Sequence, residues 1–307
     1  MYNTYWVETP NKNIVVFDTD AVKSVVEMFI EHYDRMFEKS VISINVGYPT
    51  IKPWLVNNGY GDYKFIHYNL EHRWPIGYVK NQRWHVNFDT IIEQADMVMD
   101  FQIENYMYFK SIGQEDKFKF LPLRYTTWFE QFVNHDIKKD YELYFDGGID
   151  TNIRLDVMSV ICSIPCWDEV LPHIKFLMSN TYDPVVKNTE KQRCKFCLDA
   201  PHCDYSQTIN CLRIIEGICL DCSTIVYDKY GESMDYFGDL VYTMHPDDFT
   251  TFKLKKFVMD TEPNHPASGF KALTYNDASF KEYQKRILHE FTSKYIASIP
   301  DSILEIV

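Results

Sequence analysis

The 307-residue sequence is defined first by what it lacks. No apolar run approaches the 18 or so residues that a membrane-spanning helix needs, and no charged-then-apolar leader opens the chain. Both absences point to a soluble cytoplasmic protein with no membrane partner. A basic surplus is also missing. Lys and Arg number 31 against 44 Asp and Glu, for a net charge of −13 and an isoelectric point near 5.2. That balance excludes broad electrostatic wrapping of nucleic acid, although it leaves room for a local basic groove. No internal repeat and no low-complexity segment interrupts the chain, so a repeat array is excluded as well.

What is present is ordinary globular composition with many rings. Hydrophobic residues make up 46% and aromatic residues 16%; Tyr and Phe in this number suit clefts as well as cores. The length is comfortable for two domains. Of the 8 cysteines, four fall in two Cys-x-x-Cys pairs, which fits a reducing compartment better than a disulfide framework.

Strand and helix signals alternate along the chain. Strands are expected at Ile14–Asp18, Val41–Val46, Lys64–Leu70, Met97–Phe101 and Phe118–Leu121. Helices are expected over Ala21–Lys39, Phe88–Ala95 and Ile103–Ile112. Arg124–Asp140 is less periodic and reads as the passage between domains. The alternation restarts with strands at Tyr141–Phe145, His173–Met178, Lys195–Leu198 and Cys222–Tyr227. Helices accompany them at Asp150–Cys162 and Ser206–Gly217, and a long one closes the chain from Tyr275. The expected fold class is therefore α/β, with two open, mostly parallel sheets flanked by helices. The first domain spans residues 1–125 and is joined by the C-terminal helix, 275–307. The second spans residues 137–265. Ligands in such sheets bind beyond the carboxyl ends of the strands.

Two segments carry candidate chemistry. In Tyr144-Phe-Asp-Gly-Gly-Ile-Asp-Thr-Asn-Ile-Arg154 a strand runs into two glycines and then a helix. Gly147 and Gly148 permit close backbone approach to a phosphate, the helix start offers unpaired N–H groups, and Arg154 can neutralise a diphosphate. The bland alternative is a turn followed by a surface arginine. The second segment runs from Lys195 to Val226 as strand, polar loop, helix and strand. Arg213 and Glu216 are three apart and share one face of an otherwise apolar helix. Arg can fork onto phosphate oxygens and Glu can accept both hydroxyls of a ribose; a structural ion pair is the plain alternative.

This Arg-Ile-Ile-Glu-Gly helix, following a strand and a His-containing loop, resembles the donor half of the GT-B glycosyltransferases. Tyr236-Phe-Gly-Asp-Leu-Val-Tyr-Thr-Met-His-Pro-Asp-Asp248 looks like that family's closing strand and loop. Tyr68-Asn-Leu-Glu71 and Ala95-Asp-Met-Val-Met-Asp100 resemble its acceptor-domain strands. The resemblance covers roughly residues 60–250. It implies a GT-B fold, two Rossmann-like domains facing across a cleft, and transfer of a sugar from a nucleotide-sugar, UDP-sugar by first choice, to an acceptor hydroxyl. It implies that Glu216 holds the ribose, while Gly147, Gly148, Arg154, His202, Tyr205 and Arg213 surround the rest of the donor. Thr208 stands where retaining families carry a second Glu, so the resemblance does not extend to that pair.

A general base is expected from the first domain at a strand end. Asp100, Glu71 and Asp20 are the candidates, with His72 and Arg73 against the acceptor; each acid also has a bland reading as a cap or turn residue. No cofactor is required, since arginines and a helix start can neutralise the diphosphate, and a divalent cation is at most stimulatory. The compact size and the Arg213/Glu216 helix further resemble the phage DNA glycosyltransferases, which implies double-stranded DNA carrying hydroxymethylated pyrimidines as acceptor, in a host cytoplasm, and a monomeric enzyme. Lys52, Lys64, Arg73, Lys80 and Arg83, interleaved with Tyr60, Trp74, Tyr78 and Trp84, are candidate DNA contacts. A polysaccharide or protein acceptor is the alternative. A non-catalytic nucleotide-binding or zinc-binding module is the alternative from another class. Against zinc, Cys194 and Cys197 lie on a strand, where residues three apart point to opposite faces, so no metal ligands are assigned.

Overall fold

A computed structural model of the chain describes residues 5–17, 22–44, 53, 55–70, 94–101, 113–114, 116–121, 123–146, 152–163, 174–177, 183–200, 211–228 and 237–264. Two sheets organise these residues. The first contains β1 (Tyr5–Glu8), β2 (Ile14–Phe17), β3 (Ser40–Ile44), β4 (Lys64–Asn69), β5 (Met97–Asp100) and β6 (Phe118–Phe120). Its strands lie side by side in sequence order; β1 pairs antiparallel with β2 and every later pair is parallel. Residues of β2 and β3 are buried throughout, as expected for parallel strands covered on both faces. One face, carrying Val15, Ile42, Ile66, Tyr68 and Met99, packs on Val25, Val26 and Phe29 of α1 (Lys23–His32).

The second sheet has a different winding. Its strands are β7 (Tyr141–Asp146), β8 (Ile174–Leu177), β9 (Cys194–Asp199), β10 (Ser223–Tyr227) and β11 (Val241–Met244), in the order β11-β10-β9-β7-β8 and all parallel. The chain adds β8 on one side of β7, then crosses over to add β9, β10 and β11 on the other. Such a reversal makes a topological switch point between β7 and β9. α2 (Asn152–Cys162) and α5 (Thr251–Asp260) cover one face: Val157, Ile161, Leu254 and Val258 pack on Leu143, Phe145, Phe196, Leu198 and Ile225. On the other face lie α3 (Pro184–Gln192) and α4 (Cys211–Cys219). Right-handed crossovers demand this split, because connections running in opposite directions along a sheet fall on opposite faces.

The chain passes from β6 to β7 through a segment that includes a short 3-10 helix, Thr127–Gln131, whose Thr126 side chain caps it by accepting from Trp128 N–H. Phe129 of this turn joins a core that contains Ile42, Ile66 and Tyr68 of the first sheet and Ile214, Ile215 and Ile218 of α4. α4 is therefore shared: one side packs on the second sheet and the other extends the core of the first. Gln192, at the end of α3 and buried, adds a polar clasp. Its amide donates to Phe132 O (2.5 Å), and its carbonyl accepts from Asn134 N–H (2.8 Å).

The strand expectations between residues 14 and 227 coincide with β2 to β10 to within a few residues. Strand β1 and helices α3 and α5 were not expected. β1 is an edge strand with three of its four residues exposed, so it has no buried alternation to show. α3 begins with a clear start signal, Asp183 accepting from Val185 and Val186 N–H and Pro184 in the first turn. Yet its buried residues are Asn188, Lys191 and Gln192, while Val185 and Val186 are exposed; the polarity is the reverse of an ordinary amphipathic helix. The expected helices over Ile103–Ile112 and from Tyr275 lie outside the described residues, as does nearly all of Phe88–Ala95.

Gly217 fixes how closely α4 approaches the sheet. A β-carbon there would lie 2.4 Å from Thr224 Oγ1 and 2.6 Å from Cys197 Sγ. Helix propensity favours alanine over glycine by about 1 kcal/mol, but the clash is with side chains rooted in two buried strands. Gly217→Ala is expected to destabilise the protein by about 1–3 kcal/mol, the usual cost of overpacking. Urea unfolding checks this; an equal or higher midpoint would show that α4 is not seated as described.

Candidate functional site

The switch point places two strand ends side by side. Both β7 and β9 end in aspartate, Asp146 and Asp199, and both are buried. Arg213, near the start of α4, bridges them: its Nε donates to Asp146 Oδ1 at 2.8 Å and its Nη1 to Asp199 Oδ1 at 3.0 Å. One turn further along α4, Glu216 Oε2 accepts from Lys187 Nζ at 2.7 Å and Lys191 Nζ at 3.2 Å. The same ammonium groups lie 3.5 and 3.9 Å from Asp146 Oδ2. Lys191 is fully buried, and its ammonium also sits 5.3 Å from the centre of the Tyr144 ring, a favourable position for a cation. The reversed polarity of α3 is thereby explained: its inner face supplies the counter-charges for the strand end and for α4.

Arg154, in the first turn of α2, is buried and lowers the proton affinity of Asp199 through its charge. Among the described residues the network joins Lys187, Lys191 and Arg213 to Asp146, Asp199 and Glu216, with the Arg154 charge acting on Asp199. Burial alone would push the Asp146 carboxyl up, but Lys191, Lys187 and Arg213 outweigh it and hold the group well below the usual range. Glu216 behaves alike: burial opposes ionisation, and Lys187 and Lys191 prevail. At Asp199 burial wins over Arg213 and Arg154, and its carboxyl is pushed up. This buried charged group lies at the carboxyl edge of a doubly wound sheet, the edge at which such sheets bind ligands.

Of the residues singled out from the sequence, the structure brings together Arg154, Arg213 and Glu216. Gly147, Gly148, His202 and Tyr205 follow β7 and β9 in sequence and lie outside the described residues, as do Asp20, Glu71, His72 and Arg73. Asp100 ends β5 of the other sheet, fully buried, and accepts from Asn69 Nδ2 at 2.7 Å. Four participants were missed: Asp146, Asp199, Lys187 and Lys191. The two aspartates carried a signal, since each closes an apolar strand that precedes a turn and helix. The lysines carried none, because only the fold brings α3 onto α4.

The cysteines show one departure from expectation. Cys194 and Cys197 were expected on opposite faces, yet both join Cys222 and Tyr144 in one buried cluster. Cys194 opens β9, where Cys222, from the turn before β10, reaches its carbonyl with Sγ at 3.6 Å. Cys219 packs in the other core, with Ile215 and Ile218, so the four sulfurs do not converge. Among the described residues no group of three or more His, Cys, Asp or Glu side chains is placed to hold a metal ion, and no helix is long and apolar enough to cross a membrane.

No protein-family model and no curated protein matches the sequence. Among solved structures the chain is similar to Anabaena HepE (Alr3699) in complex with UDP and glucose, at 9% identity over 85% of this chain and 78% of that one, with a TM-score of 0.50. It is also similar to a mutant of Staphylococcus aureus TarM in complex with fondaparinux, α-GlcNAc-glycerol and UDP, at 14% identity over 94% of this chain, with a TM-score of 0.44. The chain spans 58% of the length of that TarM chain. The architecture is mixed α/β with parallel sheets, of the GT-B type with Rossmann-like domains.

The opposite shifts of the two aspartates set a testable contrast. Asp146 is held below its ordinary value of 3.8, so its ionised form stabilises the fold at neutral pH. That contribution fades as pH falls below 3.8. Asp199 is held above its ordinary value, so its ionisation costs stability as pH rises through its folded-state value. Asp146→Asn is therefore expected to cost about 3 kcal/mol at pH 7, as for breaking a buried pair, and Asp199→Asn clearly less. The gap between wild type and Asp146→Asn should narrow below about pH 4. Urea unfolding at a series of pH values reads both; equal costs at pH 7, or a gap that ignores pH, would contradict the assignment.

Proposed function

We propose that the chain is a glycosyltransferase that moves a sugar from a nucleoside-diphosphate donor, UDP-sugar by first choice, to an acceptor hydroxyl. The observation that carries this reading is the Arg213 bridge across the switch point, set among further cations. A diphosphate leaving group needs its charge stabilised as the glycosidic bond breaks. Arg213 and Arg154 stand where a phosphate at the carboxyl ends of β7 and β9 would lie, and Glu216 is one turn deeper, at a position suited to a ribose. The likeness to HepE, whose structure holds UDP and glucose, supports the same choice of donor.

In this reading residues 137–265 form the donor domain and residues 1–125, with 275–307, the acceptor domain. In this reading Asp100, Glu71 or Asp20 supplies the general base; Asp100, buried at the end of β5, is held by Asn69 Nδ2. The net charge of −13 favours a glycan or protein acceptor. A hydroxymethylated pyrimidine in DNA is the second reading, carried by the basic and aromatic residues between 52 and 84. Two of those are described, and they do not help it. Lys64 opens β4 at the amino end of the sheet, and Tyr60 stacks edge-on against Tyr63 just before it, away from the carboxyl edge.

Calorimetry with UDP, followed by transfer assays with UDP-sugars, tests the proposal. Glu216→Gln is expected to weaken UDP binding by about 1–3 kcal/mol, the loss of a charged hydrogen-bond acceptor. Binding without sugar transfer to any of a glycan, a protein or hydroxymethylcytosine DNA would favour a non-catalytic nucleotide-binding module. Mass spectrometry of digested nucleosides separates the DNA acceptor from the others.

A further inference from the structure

The lysine pair on α3 is not symmetric. Both ammonium groups meet the same oxygen, Glu216 Oε2, and both approach Asp146 Oδ2. Their surroundings differ. The Lys187 side chain is 28% exposed and that of Lys191 is 0% exposed. Their depth differs too. A helix that links parallel strands runs from the carboxyl edge of the sheet back to the amino edge. Lys187 lies in the first turn of α3 and Lys191 in the last, so Lys187 is the one beside the strand ends.

The consequences of moving each lysine also differ. If Lys191 left, an ammonium buried against Tyr144 would have to cross the core. If Lys187 left, Glu216 would keep Lys191, and Asp146 would keep Lys191 and Arg213. No buried carboxylate would be stranded, which is the outcome that makes breaking a buried pair costly. We propose that Lys187 is an exchangeable counter-ion of the donor site: it pairs with Glu216 and Asp146 until a nucleoside diphosphate binds and then transfers to a phosphate oxygen. Lys191 is the fixed partner that keeps Glu216 charged while Lys187 moves.

This inference rests on the donor-site reading above and adds a residue and an event to it. Exchange makes the contribution of Lys187 depend on phosphate. Uridine has no charge to attract the ammonium, whereas UDP does. The arrangement also makes the charge, more than the length, of the side chain the relevant property, so arginine should substitute where glutamine cannot.

The test is calorimetric titration of wild type, Lys187→Gln and Lys187→Arg with UDP and with uridine, each variant first shown by circular dichroism and thermal unfolding to fold as wild type. Loss of one charged phosphate contact should weaken UDP binding to Lys187→Gln by about tenfold or more. Uridine affinity should change by less than about twofold, and Lys187→Arg should recover most of the UDP affinity. Equal loss for uridine and UDP, or unchanged UDP affinity in Lys187→Gln, would overturn the exchange while leaving the donor site in place. A wild-type protein that binds none of UDP, GDP, ADP and dTDP would overturn the donor-site reading, and the exchange with it.

Discussion

The ionised carboxylate of Asp146 is the charge on which the arrangement around the second sheet depends. It is buried at the end of β7, where water cannot solvate it, and an isolated carboxylate there would instead take up a proton. Three cations from two helices prevent this: Lys187 and Lys191 from α3 and Arg213 from α4. Each cation in turn needs a second carboxylate, and Glu216 and Asp199 provide them. The network therefore spans one central strand, its neighbour and both helices on that face. Buried ion pairs are weak contributors to net stability, so their concentration at the switch point is better understood as preparation of a polar site within an apolar fold.

That polar site is held from behind by close packing. Gly217 lets α4 approach Cys197 and Thr224, and Arg213 and Glu216 flank that contact on the same helix. The helix ends in a tight turn with Asp221 in the left-handed region, φ 56°, and Cys222 N–H returning to Gly217 O at 2.9 Å. On its far side α4 shares a core with α1, the 3-10 turn around Phe129 and the first sheet. Gln192 clasps the chain between the sheets. Whatever binds against Glu216 thus meets two helices, one seated in the core of the first sheet and the other clasped to the chain that joins the sheets.

Much of this was legible in the sequence, for identifiable reasons. Buried parallel strands appear as apolar runs, and β2, β3, β4, β7, β9 and β10 could be read directly. Arg213 and Glu216 could be placed on one helix face by their spacing, and the glycines after β7 marked a strand-to-helix turn. The reversal of strand order could not be read, because sequence order does not determine which side of β7 receives β9. The partners of Glu216 were hidden for the same reason. Lys187 lies 29 residues away, on a helix whose exposed valines and buried polar residues invert the usual pattern. Strand β1 was missed because an exposed edge strand carries no burial signal.

The carboxyl ends of β7 and β9 are the place where a donor should sit. A crystal structure of the protein with UDP is the decisive measurement. The diphosphate is expected beside Arg213 and Arg154 and the ribose toward Glu216, with Asp146 still paired to Arg213 and Lys191. UDP bound instead at the first sheet, or at the amino edge of the second, with the Arg213 bridge left out of contact, would contradict this placement.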